Sequence, residues 1–325
     1  MTSLEPQTRM IAFAVVLLFV AAIAAVYVRY KIDISREWTR ISMSSCIETP
    51  YGLIEYSVRG TGTPLLIVHG AGGGFDQGLD LAETLLQKNF KVIAMSRFGY
   101  LRTALPTDAS ASAQADAHLC LMDALGIQRA AIAGVSAGGP SAMQFAIRHP
   151  DRTAALFLLV PLAYHPAAKT GAGPAPSRSR LSRLYETLLK SDFLFWLAIH
   201  VSPKTTIGTI LATPPELVKN AGRSEQERVA RVMTHILPVS QRCLGLLNDA
   251  QVATALTRYD LEQITAPTLI VSVKDDRYGT FEGSRYTADH IAGARFVGFE
   301  KGGHMCVGHN KEIAEQAAQF LTDNR

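Results

Sequence analysis

A hydroxyl attacks a carbonyl only if something takes its proton, so a serine that does chemistry needs a base within hydrogen-bond reach and a carboxylate to orient that base. In AIAGVSAGGPSAMQF, residues 131–145, Ser136 stands between Gly134 and Gly138. The apolar AAIAG before it reads as a strand, and AGGPSAMQFAIRHP after it continues at helical period, so the serine falls on a strand–turn–helix bend of the nucleophile-elbow kind. Glycine at 134 and 138 removes the Cβ atoms that would collide where the chain doubles back. The same letters suit an anion-binding helix start, but that reading requires no partners downstream. Partners follow in the order Ser, Asp, His. LIVSVKDDRYG (269–279) ends an apolar run on Asp275 and Asp276, and FEKGGHMCVGH (299–309) brings His304 after two glycines, with His309 at the start of the last helix.

A tetrahedral oxyanion needs backbone N–H donors, and the glycine-rich IVHGAGGG (67–74) can bring main chain close to a substrate. The donors are assigned to Ala71 and Ala137. The segment has neither the G-x-G-x-x-G spacing of a dinucleotide loop nor a Walker lysine. No metal-ligand cluster or nucleotide loop stands out either, so no cofactor is implied.

These residues need a scaffold that brings distant loops together. PLLIVHG (64–70), KVIAMSR (91–97), AAIAGVS (130–136), ALFLLVP (155–161), PTLIVSV (267–273) and RFVGFE (295–300) are short apolar runs. Most are separated by helix-period segments such as DLAETLLQKN and AQADAHLCLMDALG. Buried strands alternating with helices indicate an α/β fold with a mostly parallel sheet covered on both faces. CIETPYGLIEYSVRG, around Pro50 and Gly52, reads as a hairpin ahead of it. Between Pro161 and about Asp260 the alternation stops: KTGAGPAPSRSR suits an exposed loop, and RLSRLYETLLKSDFLFWLAIH and EQERVARVMTHILPVSQRCLGLLNDAQVATAL are helical patterns. Phe193, Phe195 and Trp196 in this insertion either line an apolar acyl pocket, face a membrane, or pack as ordinary helix core.

The N-terminus departs from a soluble pattern. MIAFAVVLLFVAAIAAVYV (10–28) carries no charge over 19 residues, which at about 1.5 Å per residue nearly spans a hydrocarbon core about 30 Å thick. A single membrane anchor is the leading reading; a cleaved signal peptide and a buried helix are the alternatives. Arg29, Lys31, Arg36 and Arg40 follow the span and favour a cytoplasmic catalytic domain, but exported signal-anchored enzymes look similar, so no side is assigned. REWTRISMSS (36–45) reads as a polar connector. The net charge of +4 is scattered, which gives nucleic-acid binding no support. Cys46, Cys120, Cys243 and Cys306 have no metal or disulfide-framework spacing and read as buried free thiols.

Taken together, residues 45–325 resemble the α/β-hydrolase superfamily: PLLIVHGAGGG resembles its oxyanion loop, SRFGYLRTALP the turn after the next strand, AGVSAGGPSA the nucleophile elbow, SVKDDRYG the acid turn and KGGHMCVGH the histidine loop. The resemblance implies Asp276 over Asp275 as the acid, with Ser136 as nucleophile and His304 as base. It implies a helical cap over residues 162–258, between core segments 41–161 and 259–325, preceded by an anchor and connector at 1–40. Ser96 stands where many relatives carry Asp. The implied chemistry is hydrolysis of a small-molecule carboxylic ester through an acyl-enzyme. A lactonase, a thioesterase, an acyltransferase or a carbon–carbon bond hydrolase would use the same triad, and a binding protein on the same fold would need none of it.

Overall fold

Strands buried on both faces are predominantly apolar, and that is how the centre of this molecule is built. The structure is a computed structural model and describes residues 6–85, 89–166, 187 and 189–324. The chain divides into two compact units, Met1–Ser42 and Met43–Arg325.

The larger unit holds one eight-stranded sheet: β1 (Ser45–Thr49), β2 (Gly52–Arg59), β3 (Thr63–Val68), β4 (Phe90–Met95), β5 (Ala130–Val135), β6 (Thr153–Leu159), β7 (Thr268–Val273) and β8 (Arg295–Phe299). Their spatial order is β1-β2-β4-β3-β5-β6-β7-β8. The expected hairpin is β1 on β2, antiparallel with Thr49 opposite Gly52. β2 is antiparallel to β4, and every later pairing is parallel. All seven residues of β6 and all six of β7 are buried, whereas the edge strands β1 and β8 are half open.

Side chains alternate across the sheet. Leu66 and Val68 of β3, Ile93 and Met95 of β4 and Leu156 and Leu158 of β6 join one apolar cluster with α3 (Ala111–Ala124), α4 (Gly139–Arg148) and Ala288 of α10 (Thr280–His290). Helix α2 (Phe75–Leu85) packs with α11 (Asn310–Asp323). Gly78 of α2 lies so close to the sheet that a Cβ there would sit 2.9 Å from the Cβ of Ala94. This crossover pattern sends the carboxyl ends of β3, β5, β7 and β8 to one edge, where open α/β sheets bind their ligands.

Between β6 and β7 the described residues contain no strand, and their main elements are the helices α5 (Asp192–Val201), α6 (Pro203–Thr209), α7 (Pro215–Asn220), α8 (Arg223–Thr234) and α9 (Cys243–Thr254). The helical pattern expected over 225–256 divides into α8 and α9 around Pro238, which has no N–H to continue a helix. Ser191 caps α5, accepting from the Leu194 N–H at 3.3 Å. The KTGAGPAPSRSR loop lies outside the described residues.

The smaller unit is a single helix, α1 (Pro6–Ile41). The polar stretch expected to be a connector is helical as far as Ile41, a correction with a local cause. Arg29 pairs with Asp33 at 2.9 Å and Arg40 with Glu37 at 2.7 Å, contacts one turn apart that support a helix where apolar patterning has stopped. Side chains from Met10 to Val28 are exposed along the whole apolar stretch.

Candidate active site

Strand β5 delivers Ser136 in a conformation few residues adopt. Its φ is +49°, a left-handed backbone that costs a non-glycine residue about 1–2 kcal/mol. The strain falls on the serine itself, while Gly138 has an ordinary φ of −80° and is needed for another reason. A Cβ on Gly138 would meet the carbonyl oxygens of Val68 and His69 at 2.4 and 2.6 Å. Glycine therefore lets the elbow press against the end of β3, and α4 then carries the chain away.

Ser136 Oγ lies 2.9 Å from His304 Nε2, and His304 Nδ1 lies 2.8 Å from Asp276 Oδ2. A carboxylate only accepts, so Nδ1 carries the imidazole proton and Nε2 is left to accept from the serine hydroxyl. The Asp276 side chain is fully buried. Burial opposes its charge, but hydrogen bonds from His304, the Thr280 hydroxyl and the Tyr278 N–H outweigh this and hold the carboxyl below its ordinary range. Asp275 has a separate role: its Oδ1 accepts the Gly303 N–H at 2.7 Å and so shapes the histidine loop. Gly303 has a φ of +62° and lies against Thr213, where a Cβ would find a neighbour at 2.7 Å.

The loop after β3 runs beside the serine, since a Cβ on Gly70 would stand 3.2 Å from the Cβ of Ser136. Ala71 is exposed at this point, and Ala137 directly follows the serine in the elbow. Ser136, His304, Gly70 and Ala71 open into one cavity of about 880 Å³. Its apolar wall includes Leu194, Phe195, Leu197, Ala198 and Val201 of α5, and Ile236 and Met305 line it too. Of the three aromatic residues named from the sequence, Phe195 lines the cavity. Phe193 and Trp196 do not; they stack on each other at 6.2 Å and Trp196 is buried. Phe193 and Trp196 follow the helix-packing alternative, because positions 194, 197, 198 and 201 share one face and 193 and 196 share another.

Further contacts surround the Ser136, Asp276 and His304 side chains. Tyr278 sets its ring edge-on to His304 at 4.9 Å. The turn before α7 touches the loops after β7 and β8: Ala212 O accepts the Arg277 N–H at 3.0 Å and the His304 N–H at 3.4 Å, and Thr213 Oγ1 accepts the Met305 N–H at 3.0 Å. Cys306 also lines the cavity, but burial pushes its thiol up to about 12, so it stays protonated beside the histidine. Ser96 bridges two segments, donating to Glu55 at 2.7 Å and accepting the Phe75 N–H at 3.1 Å.

This geometry has counterparts in known proteins. An uncharacterized hydrolase of Bacillus subtilis, YcgS, is 26% identical over 280 residues, covering 83% of this chain and 94% of its own. An alpha/beta hydrolase fold protein from Nakamurella multipartita superposes with a TM-score of 0.65 at 29% identity, covering 86% of this chain and 98% of its own. The fold of a bacterial membrane phospholipase A, at 21% identity and a TM-score of 0.64, matches 98% of this chain and 99% of its own. The family model for the alpha/beta hydrolase fold matches residues 63–307, a span that holds Ser136, Asp276 and His304 together with the helices between β6 and β7, and the chain belongs to that family.

Proposed function

We propose that the protein is a serine hydrolase that cleaves a carboxylic ester whose acyl part occupies the apolar cavity beside Ser136. The observation that carries this reading is the unbroken pair of hydrogen bonds from Ser136 Oγ through His304 to Asp276, 2.9 and 2.8 Å long, opening on that cavity. In the reaction, Ser136 Oγ bonds to the acyl carbon as its proton passes to His304 Nε2. The carbonyl π electrons move onto oxygen, where the Ala71 and Ala137 amides receive them. Collapse breaks the bond to the alcohol, which leaves with the proton from His304. Water then attacks the acyl-enzyme, giving its proton to His304, and release of the carboxylic acid returns that proton to Ser136. Asp276 stays ionised and holds the ring in the tautomer that both steps require.

In this reading residues 162–258 form a cap over the site, and α1 anchors the enzyme in a membrane through residues 10–28. The apolar composition of that stretch supports the anchor. So does the similarity over nearly the full chain to a phospholipase described as a membrane enzyme. The deciding experiment is active-site labelling. A fluorophosphonate probe should modify Ser136 in the wild type and leave Ser136→Ala unreacted, and failure to label folded wild-type protein would turn the reading toward a binding module. On p-nitrophenyl esters of increasing chain length, activity should rise beyond acetate, because a cavity of about 880 Å³ leaves a two-carbon acyl group mostly uncontacted.

A further inference from the structure

The oxyanion loop is gripped from outside the sheet. His69 O accepts from Arg97 Nε at 2.8 Å, Gly70 N donates to Gln77 Oε1 at 2.8 Å, and the Gly72 N–H reaches the Tyr100 hydroxyl at 3.3 Å. Gly73 O accepts from Arg242, a fully buried side chain that also pairs with Asp76 at 2.8 Å. Four main-chain groups around Ala71 are thus held, and three of the grips lead to the helical segment after β6, which contributes Arg242 itself. Asp249 on α9 takes both terminal nitrogens of Arg97, at 2.6 and 2.7 Å, and the Tyr100 hydroxyl at 2.5 Å.

We propose that Tyr100 and Asp249 are positioning residues for the reaction: Asp249 fixes the Tyr100 hydroxyl, and that hydroxyl holds the Gly72 amide so that the adjoining Ala71 N–H stays aimed at the oxyanion. A phenol has one proton. With that proton given to Asp249, the oxygen facing Gly72 can only accept, which fixes the direction of the peptide that follows Ala71. Burial and the nearby Asp249 carboxylate push the phenol well above its ordinary value, so it remains a donor over the whole working range. The His69 ring stands edge-on to Tyr100 at 4.8 Å, and the Arg97 guanidinium lies 5.1 Å from its centre, so the buried ring is packed by both. The helical segment is therefore a working part of the oxyanion site as well as a wall of the cavity. The inference rests on the serine-hydrolase reading.

The test is Tyr100→Phe, which keeps the ring and deletes only the hydroxyl. Removing an oxyanion donor outright costs about 100- to 1000-fold in kcat, so loosening one should cost about 10- to 100-fold with KM within about twofold. The inhibition constant of a trifluoromethyl ketone, whose serine adduct carries the same oxyanion, should rise by the factor by which kcat/KM falls. A tyrosine that served packing alone would lower the urea midpoint and leave the ketone affinity of the folded protein unchanged; that result, or an unchanged kcat, overturns the proposal. Asp249→Asn supplies the second arm. It keeps an oxygen for the Tyr100 hydroxyl but removes the charge opposite Arg97, so it should lower stability more than Tyr100→Phe and kcat less, and the opposite ranking also overturns the proposal. Wild-type hydrolysis that persists in Ser136→Ala would overturn the serine-hydrolase reading itself, an outcome separate from any difference between the two variants.

Discussion

Asp275 and Asp276 are adjacent carboxylates with different environments, and environment divides their work. Asp276 is buried against His304, Thr280 and Tyr278, whereas Asp275 reaches across to the Gly303 amide. Asp276→Asn should lower kcat by about 1000- to 10,000-fold, because an amide can offer its N–H to Nδ1 and stabilise the wrong tautomer. Asp275→Ala should cost about tenfold, by loosening the loop and leaving the proton relay intact. Asp276 also carries a pH signature. A carboxyl held low on folding stabilises the native state above its unfolded value, near pH 4, and that contribution disappears as pH falls through the lower folded value. Urea midpoints of the wild type should therefore drop more steeply than those of Asp276→Asn below about pH 4. Parallel decline of the two would mean that the carboxylate gains nothing from its partners.

At the scale of elements, α5 presents two faces with separate duties. Its cavity face holds Ala198, a small residue beside Leu194 and Val201, and its other face buries Trp196. Ala198→Phe should fill part of the cavity and reduce kcat/KM for long acyl chains at least about tenfold while sparing acetate. Trp196→Ala should instead cost about 3–5 kcal/mol of stability with no change in chain-length preference, as measured by denaturant unfolding and the same ester series. The elements themselves were readable to different degrees. β6 and β7 stand out in the sequence because a strand covered on both faces is mostly apolar, and Ser136, Asp276 and His304 stand out because each follows a short apolar run. The sequence gives less warning of the extension of α1 to Ile41, since charged residues one turn apart look like a linker until their pairs are seen. Arg242 with Asp76 and Arg97 with Asp249 are invisible in it. Their members lie 166 and 152 residues apart and meet only through the fold, so no local spacing marks them as ties on the loop after β3.

At the scale of the whole molecule, the apolar helix and the unit from Met43 onward differ in how they handle apolar surface. The unit from Met43 onward contains the entire sheet, its core and every residue of the Ser136–His304–Asp276 chain, whereas α1 keeps its apolar side chains exposed from Met10 to Val28. Those 19 residues, about 28 Å of helix, match a hydrocarbon core about 30 Å thick closely enough to span it with little distortion. Exposed in water, they would form an apolar surface far beyond what soluble monomers tolerate. Deleting residues 1–28 should therefore move the protein from the membrane pellet to the supernatant while kcat and KM on a water-soluble p-nitrophenyl ester stay within about twofold, since no residue that touches the acyl carbon or holds the proton relay is lost. Activity on the same acyl group presented in a bilayer should fall much further, because the truncated enzyme must find its substrate from bulk solution instead of within the surface that holds it. A full-length protein that already fractionates as soluble at its full mass would remove the anchor from the account and leave the chemistry at Ser136 untouched.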